Sequence, residues 1–229
     1  MAREVVIVAA AGLVYATVRE LSQGSMHTAL LNADRVHRLE RSLGLAWEGT
    51  AQSFILGHEI LIDLANWMYI WGHWPVIAVV AIALFAFRRD RYRLLRNAVL
   101  ISALIGFSFF AVLPTAPPRL ANVGLVDTIT NWSSSYRVLQ PPKLTNQYAA
   151  MPSLHFGWNL LVGIILFSAT RSLVVRLFAV LMPAAMAFSV VATANHWVLD
   201  VVAGAAVVLA GLFIATQLPG KHRSAVGTR

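Results

Sequence analysis

Two strings carry groups able to do chemistry: AAMPSLHFGW at 149–158 and NHWVLDVVAG at 195–204, each with a histidine where an apolar run meets polar sequence. An ionisable group at such an edge is costly to desolvate, and that cost points to a working group. His196 and Asp200 are four residues apart, so a helix would present them on one face, and Asp200 is the only acidic residue after Asp127. A carboxylate that accepts from one imidazole nitrogen fixes the tautomer and leaves the other nitrogen to attack or to bind metal. The plainer reading is a hydrogen-bonded pair closing a helix end.

In the first string Pro152 suits the first turn of a helix, so MPSLH reads as a loop turning into one. Its free N–H groups and positive dipole end, beside the Ser153 hydroxyl, would cradle an anion such as phosphate. His155 would then be placed to protonate a departing oxygen. Otherwise Ser153 only caps the helix and His155 is a polar residue at the interface. Arg119 ends PTAPPRL, where prolines fix the backbone and the guanidinium can meet phosphate oxygens bidentately; the other reading is an arginine that snorkels to headgroups. Arg137 and Lys143, in the same loop, either join that anion site or are solvated loop charges. The run NWMYIWGHWP reads as an aromatic belt at a membrane surface, with a substrate entrance lined by Tyr69 and His73 as the rival.

The elements that must hold these groups follow from composition. The chain has 229 residues, of which 58% are hydrophobic and 12% charged, and its mean hydropathy is +0.67. That is too apolar for an ordinary soluble domain and predicts an all-α, polytopic bundle in a bilayer. With no cysteine, disulfides, thiolate catalysis and cysteine-based zinc sites are excluded. Six apolar stretches read as spans, at about 5–18, 74–87, 97–113, 154–169, 173–192 and 197–217, several slightly short of the roughly 20 residues a bilayer core needs. The first reads as an uncleaved anchor, with a secretory leader as the alternative. The mixed segment 27–72 reads as one or two amphipathic helices lying at the interface or capping the bundle; a seventh span within 54–72 is the alternative, disfavoured because it would bury Glu59 and Asp63.

The net charge of +8 gathers between the apolar runs: Arg88, Arg89, Arg91, Arg93 and Arg96, then Arg171 and Arg176, then Lys221 and Arg223. With six spans these clusters share one side, which predicts cytoplasmic termini, an inner (plasma) membrane location and both histidine strings on the extracytoplasmic face. No basic stripe with interleaved exposed aromatics occurs, so nucleic acid is not an expected partner. One domain over 1–229, with its motif-bearing core at about 97–217, suffices.

PPR at 117–119, PSLH at 152–155 and HWVLD at 196–200 together resemble the motifs of the type 2 phosphatidic-acid phosphatase superfamily, which includes vanadium haloperoxidases. The AMPSLH wording, with no glycine before His155, is similar to the branch of the fungal inositol phosphorylceramide synthases. The resemblance implies His196 as the nucleophile that takes the phosphoryl group, Asp200 as its orienting partner and His155 as the acid for the leaving oxygen. Ser153 and Arg119 would hold the phosphate. It implies metal-independent chemistry without a cofactor, on a lipid phosphate or phospholipid, with water or an alcohol as acceptor. Two positions depart from the superfamily pattern: Val190 stands where an arginine commonly follows Ser189, and Val112 stands where a lysine commonly precedes Arg119. Arg137 and Lys143 are the candidates to make up the missing charge. A headgroup transferase, a histidine-based metal hydrolase and a non-catalytic lipid transporter on the same scaffold are the rival readings.

Overall fold

The computed structural model describes residues 4, 25–132 and 146–218. The expected span at 5–18, Arg137, Lys143 and the basic residues 221 and 223 lie outside the described residues. The architecture is a helical membrane bundle, as expected, with one isolated backbone bridge, Thr115 to Ala149, and no strand among the described residues.

The amphipathic segment forms three helices: α1 (Met26–Leu43), α2 (Glu48–Ile55) and α3 (Glu59–Trp71). In α1 the Ser25 hydroxyl accepts from the Thr28 N–H, and Gly44 ends the helix at φ 69°, a conformation glycine adopts without strain. Ala29, Ala33, Val36 and Glu40 form its buried face, while Leu31, Leu39 and Leu43 point outward, as in a helix lying along an interface. Next come α4 (Trp74–Phe87) and α5 (Arg89–Val112), then the short α6 (Thr128–Trp132), and finally α7 (Leu154–Ala169), α8 (Leu173–Ala192) and α9 (Val198–Gln217).

By length and composition α5, α8 and α9 can each cross a membrane, while α7 is apolar but shorter. The expected span at 74–87 is the second half of a bent pair: α3 and α4 together pass as one span, broken by 48°. The break follows from GHWP, because Pro75 has no N–H to give to the preceding turn. Irregular backbone at membrane depth is tolerated where protein covers it, and the break here carries His73, which is buried. Of the six stretches read from hydropathy five lie among the described residues, and three helices there, or four spans with the bent pair, meet this test.

Helix α7 is the centre of the bundle, packing on α4, α5, α8 and α9, while α8 leans on α2 and α3. Leu95, Ala98, Leu161, Val162 and Val208 fill the space between α5, α7 and α9. The α7–α9 crossing is set by two glycines. A Cβ on Gly157 would lie 2.8 Å from the Gly204 carbonyl oxygen, and one on Gly204 would collide with the Ser153 carbonyl oxygen. Backbones can therefore approach closely, as small residues permit between membrane helices, and the Ser153 N–H reaches the Asp200 carbonyl at 2.9 Å.

The start of α9 is capped from outside the helix. Glu40 Oε1 accepts from the Leu199 N–H (2.7 Å) and Glu48 Oε1 from the Val198 N–H (2.9 Å), so two acids of the amphipathic segment satisfy two orphan donors. Burial pushes the Glu40 carboxyl well above the usual carboxylate range, opposed by the Leu199 hydrogen bond and reinforced by Glu48 facing it. Replacing Gly204 by alanine is expected to cost about 1–3 kcal/mol by overpacking. Gly49→Ala, exposed on α2 with open space around it, is expected to be neutral or stabilising by up to about 1 kcal/mol. Thermal unfolding of the two variants in detergent measures the contrast.

Candidate active site

Five elements end at one pole of the bundle: the α3–α4 break, the C-termini of α5 and α8, and the N-termini of α7 and α9. The opposite pole carries the arginines at 88–96, 171 and 176. Arg91 meets Ser168 across α5 and α7 there, and Arg96 pairs with Glu4 at 2.5 Å. The charge asymmetry read from the sequence therefore coincides with an asymmetry of the fold.

Three segments far apart in sequence are stitched together at the first pole by backbone bonds. The Thr115 N–H donates to the Tyr148 carbonyl (2.7 Å) and the Ala150 N–H to the Thr115 carbonyl (3.1 Å), joining the PTAPPR loop to the strand-like approach to PSLH. The Arg119 N–H donates to the Ala194 carbonyl at 2.9 Å, and Trp197 Nε1 donates to the Ala116 carbonyl at the same distance. Ala194 is held in the left-handed region, φ 57°, a conformation costing a non-glycine residue about 1–2 kcal/mol. The turn it makes sends both the Asn195 and His196 N–H groups to the Val190 carbonyl.

His196 is 4% exposed, and its Nδ1 lies 2.8 Å from the Ala150 carbonyl oxygen and 3.4 Å from Asp200 Oδ2. A carbonyl oxygen only accepts, so Nδ1 carries the proton and Nε2 keeps its lone pair. The sequence places the pair on one helical face, but α9 begins at Val198 and His196 precedes it. The reason is Asp200 itself, whose Oδ2 accepts from the Trp197 N–H at 2.9 Å and so caps the helix there. Asp200 is fully buried. Its carboxylate holds both the helix start and the imidazole, with the Ala150 carbonyl as the closer acceptor.

The rings of His155 and His196 are 6.1 Å apart between centroids. His155 is stacked on Tyr69 at 4.5 Å and lies against His73 at 4.3 Å. His73 in turn lies parallel to Trp158 at 5.7 Å, and its Nδ1 is 3.3 Å from Asn159 Nδ2, an amide that also bonds the His155 carbonyl. Trp67, Trp71 and Trp74 are exposed, in keeping with an aromatic belt, but Tyr69 and His73 are buried and belong neither to the belt nor to an open entrance. They form the wall behind His155.

Ser153 is the N-cap of α7, its hydroxyl accepting from the Phe156 N–H at 3.4 Å, so Pro152 lies before the helix and not in its first turn. The hydroxyl retains its own proton to donate. Arg119 does not snorkel: its side chain is 10% exposed, with Nε on Asn195 Oδ1 and Nη1 on Asp127 Oδ2, both at 3.1 Å. Its guanidinium is thus fixed beside the residue that precedes His196, with Nη2 unbonded among the described residues. Asp127 and Asn195 were not singled out by sequence reasoning; the spacing of one acid eight residues after an arginine carries no periodic signal. Glu40 and Glu48 were submerged among the charges of 27–72.

A family model described as the PAP2 superfamily matches residues 34–214. The chain belongs to the PAP2 superfamily. No curated protein and no solved structure gives a significant match. PAP2 membership supports a phosphatase-like phosphoryl transfer activity and an enzyme working at a membrane on lipid. The matched region includes α2 and most of α1, so the amphipathic segment that caps α9 is part of the family domain and not an appendage to the core at 97–217. The geometry makes one direct spectroscopic prediction. Imidazole nitrogen shifts should show His196 as the Nδ1–H tautomer at neutral pH, and an Nε2–H tautomer would contradict the Ala150 contact.

Proposed function

We propose that this PAP2 protein transfers a phosphoryl or phosphoalcohol group from a lipid phosphate or phosphodiester through a covalent histidine intermediate. The observation that carries the reading is the convergence of His155 and His196 beside Arg119, on three segments bonded to one another at one pole. His196 Nε2 attacks phosphorus as the bond to the leaving oxygen breaks, and His155 gives that oxygen its proton. Water or an alcohol then attacks the phosphorus, His155 takes back a proton, and the bond to Nε2 breaks to restore the free imidazole. Asp200 and the Ala150 carbonyl hold the His196 ring and stabilise it as it becomes positively charged. Arg119 Nη2 and the Ser153 hydroxyl are assigned to the phosphate oxygens, with Arg137 and Lys143 as further candidates.

A lipid substrate suits the surroundings. An apolar groove of about 350 Å³, lined by Trp67, Trp71, Val76, Val79 and Phe178, runs beside the helix break that carries His73 and could take a hydrocarbon chain. The positive-inside rule supports a cytoplasmic arginine pole and, with it, a site on the outer face of a plasma membrane. One observation favours the headgroup-transferase reading over the hydrolase. Val190, at the position of the usual arginine, is fully buried against Ile129 and Met186 and brings no charge to the site. A site with fewer cations is better matched to the single charge of a phosphodiester than to the double charge of a phosphomonoester.

The purified protein, offered a panel of lipid phosphomonoesters and inositol-containing phospholipids, is expected to release phosphate or transfer a headgroup. His196→Ala should lower turnover by at least about 10³-fold. His73→Ala, which removes the support behind His155, should lower kcat by roughly 10–100-fold and shift the pH profile with little change in KM. Undiminished turnover by His196→Ala would remove the proposal, and lipid translocation without product across the panel would favour the non-catalytic scaffold.

A further inference from the structure

On the far side of the α9 N-terminus from the two catalytic imidazoles lies a second cluster of chemistry-bearing groups, built from α1 and α2. One donor atom from each of His37, Glu40 and Glu48 lies within 4.8 Å of the other two. Glu40 is completely buried, yet its Oε2 has no hydrogen-bond partner, and the buried His37 Nδ1 has none either, among the described residues. Buried polar atoms are almost always satisfied, so two unpartnered polar atoms within one cluster mark a place for a further partner. His37 and Glu40 are three residues apart on α1, so a single helix face offers both. The ring of His37 packs against Trp197 at 5.2 Å, which aims the imidazole at the start of α9. A pocket of about 170 Å³, lined by Asp34, His37, Asn122 and Trp197 among others, gives a path from solvent.

We infer that His37, Glu40 and Glu48 form a binding site for a divalent transition-metal cation of the Zn²⁺ type. One imidazole and two carboxylates are a donor set suited to that class, and a bound cation would displace any proton the two carboxyl groups share. Tetrahedral coordination at about 2.0–2.2 Å brings donors to within about 3.4 Å of one another, so donors that now lie within 4.8 Å have to close by up to about 1.4 Å, with water from the pocket as the fourth ligand. The remaining carboxylate oxygens stay on the Val198 and Leu199 N–H groups. The ion would thus tie α1 and α2 to the first turn of the helix that follows His196, as a structural clamp separate from the phosphoryl-transfer residues. The site does not depend on the proposed reaction.

The test uses the full-length protein in detergent after chelator treatment, with Zn²⁺ as the probe. Calorimetry should find one tight site per chain, and Tm should rise with Zn²⁺ concentration, as binding to the folded state alone requires. His37→Ala leaves both carboxylate caps in place and should weaken binding more than about tenfold and abolish the Tm shift. X-ray absorption of the Zn²⁺-loaded wild type, which requires no variant to fold, should show nitrogen and oxygen ligation with a single imidazole. No stoichiometric binding, binding of equal strength in His37→Ala, or ligation by two or more imidazoles would each overturn the inference.

Discussion

The close approach of α7 and α9 is the constraint from which the rest of the site follows. Gly157 and Gly204 face each other without side chains, and the Ser153 N–H bonds the Asp200 carbonyl across the gap. This contact fixes the N-terminus of one helix against the N-terminus of the other. His155 lies one residue into α7 and His196 two residues before α9, so the distance between the two rings is set by backbone packing and not by flexible side chains. Preorganisation of this kind is what allows a site to favour a transition state without reorganising during the reaction.

The beginning of α9 shows how a buried polar pole is made tolerable in an apolar bundle. Its Trp197, Val198 and Leu199 N–H groups are taken by Asp200, Glu48 and Glu40 respectively. Three carboxyl groups around one helix start complement the positive end of its dipole, but they also crowd one another, and Glu48 facing Glu40 adds to the burial that favours its proton. The amphipathic helices therefore act as more than a cover: without α1 and α2 the helix start that presents His196 would lose two of its three caps. Gln52, which binds Val126 through both ends of its amide and also the Ala192 carbonyl, and Asn66, which exchanges bonds with Thr128, fasten the loop carrying Arg119 and Asp127 to the same support.

Much of this was legible in the sequence because it is local. Hydropathy located the cores of α5, α7, α8 and α9, and the histidine, aspartate and arginine strings at their polar ends marked the pole where they meet. The segment 27–72 was readable as amphipathic, with one or two helices at the interface or capping the bundle, where the structure has three. What escaped detection depends on contacts between segments. The break at His73 joins two runs that read separately as an interfacial helix and a span, because a proline at the second residue of a helix gives no indication of what precedes it. Tyr69 and His73 share a composition with surface aromatics, and only packing against His155 distinguishes them. Glu40 and Glu48 sit among six other charged positions in 27–72, and only the distant N–H groups of α9 explain why those two are buried.

The central claim is that a covalent adduct forms on one particular imidazole. Rapid quenching of the wild-type enzyme during turnover of a lipid donor labelled at phosphorus, followed by mass-spectrometric mapping under conditions that preserve phosphoramidates, tests it directly. The account predicts acid-labile label on His196 and on no other residue. Turnover accompanied by label at another side chain, or by no protein-bound label at any time, would contradict it.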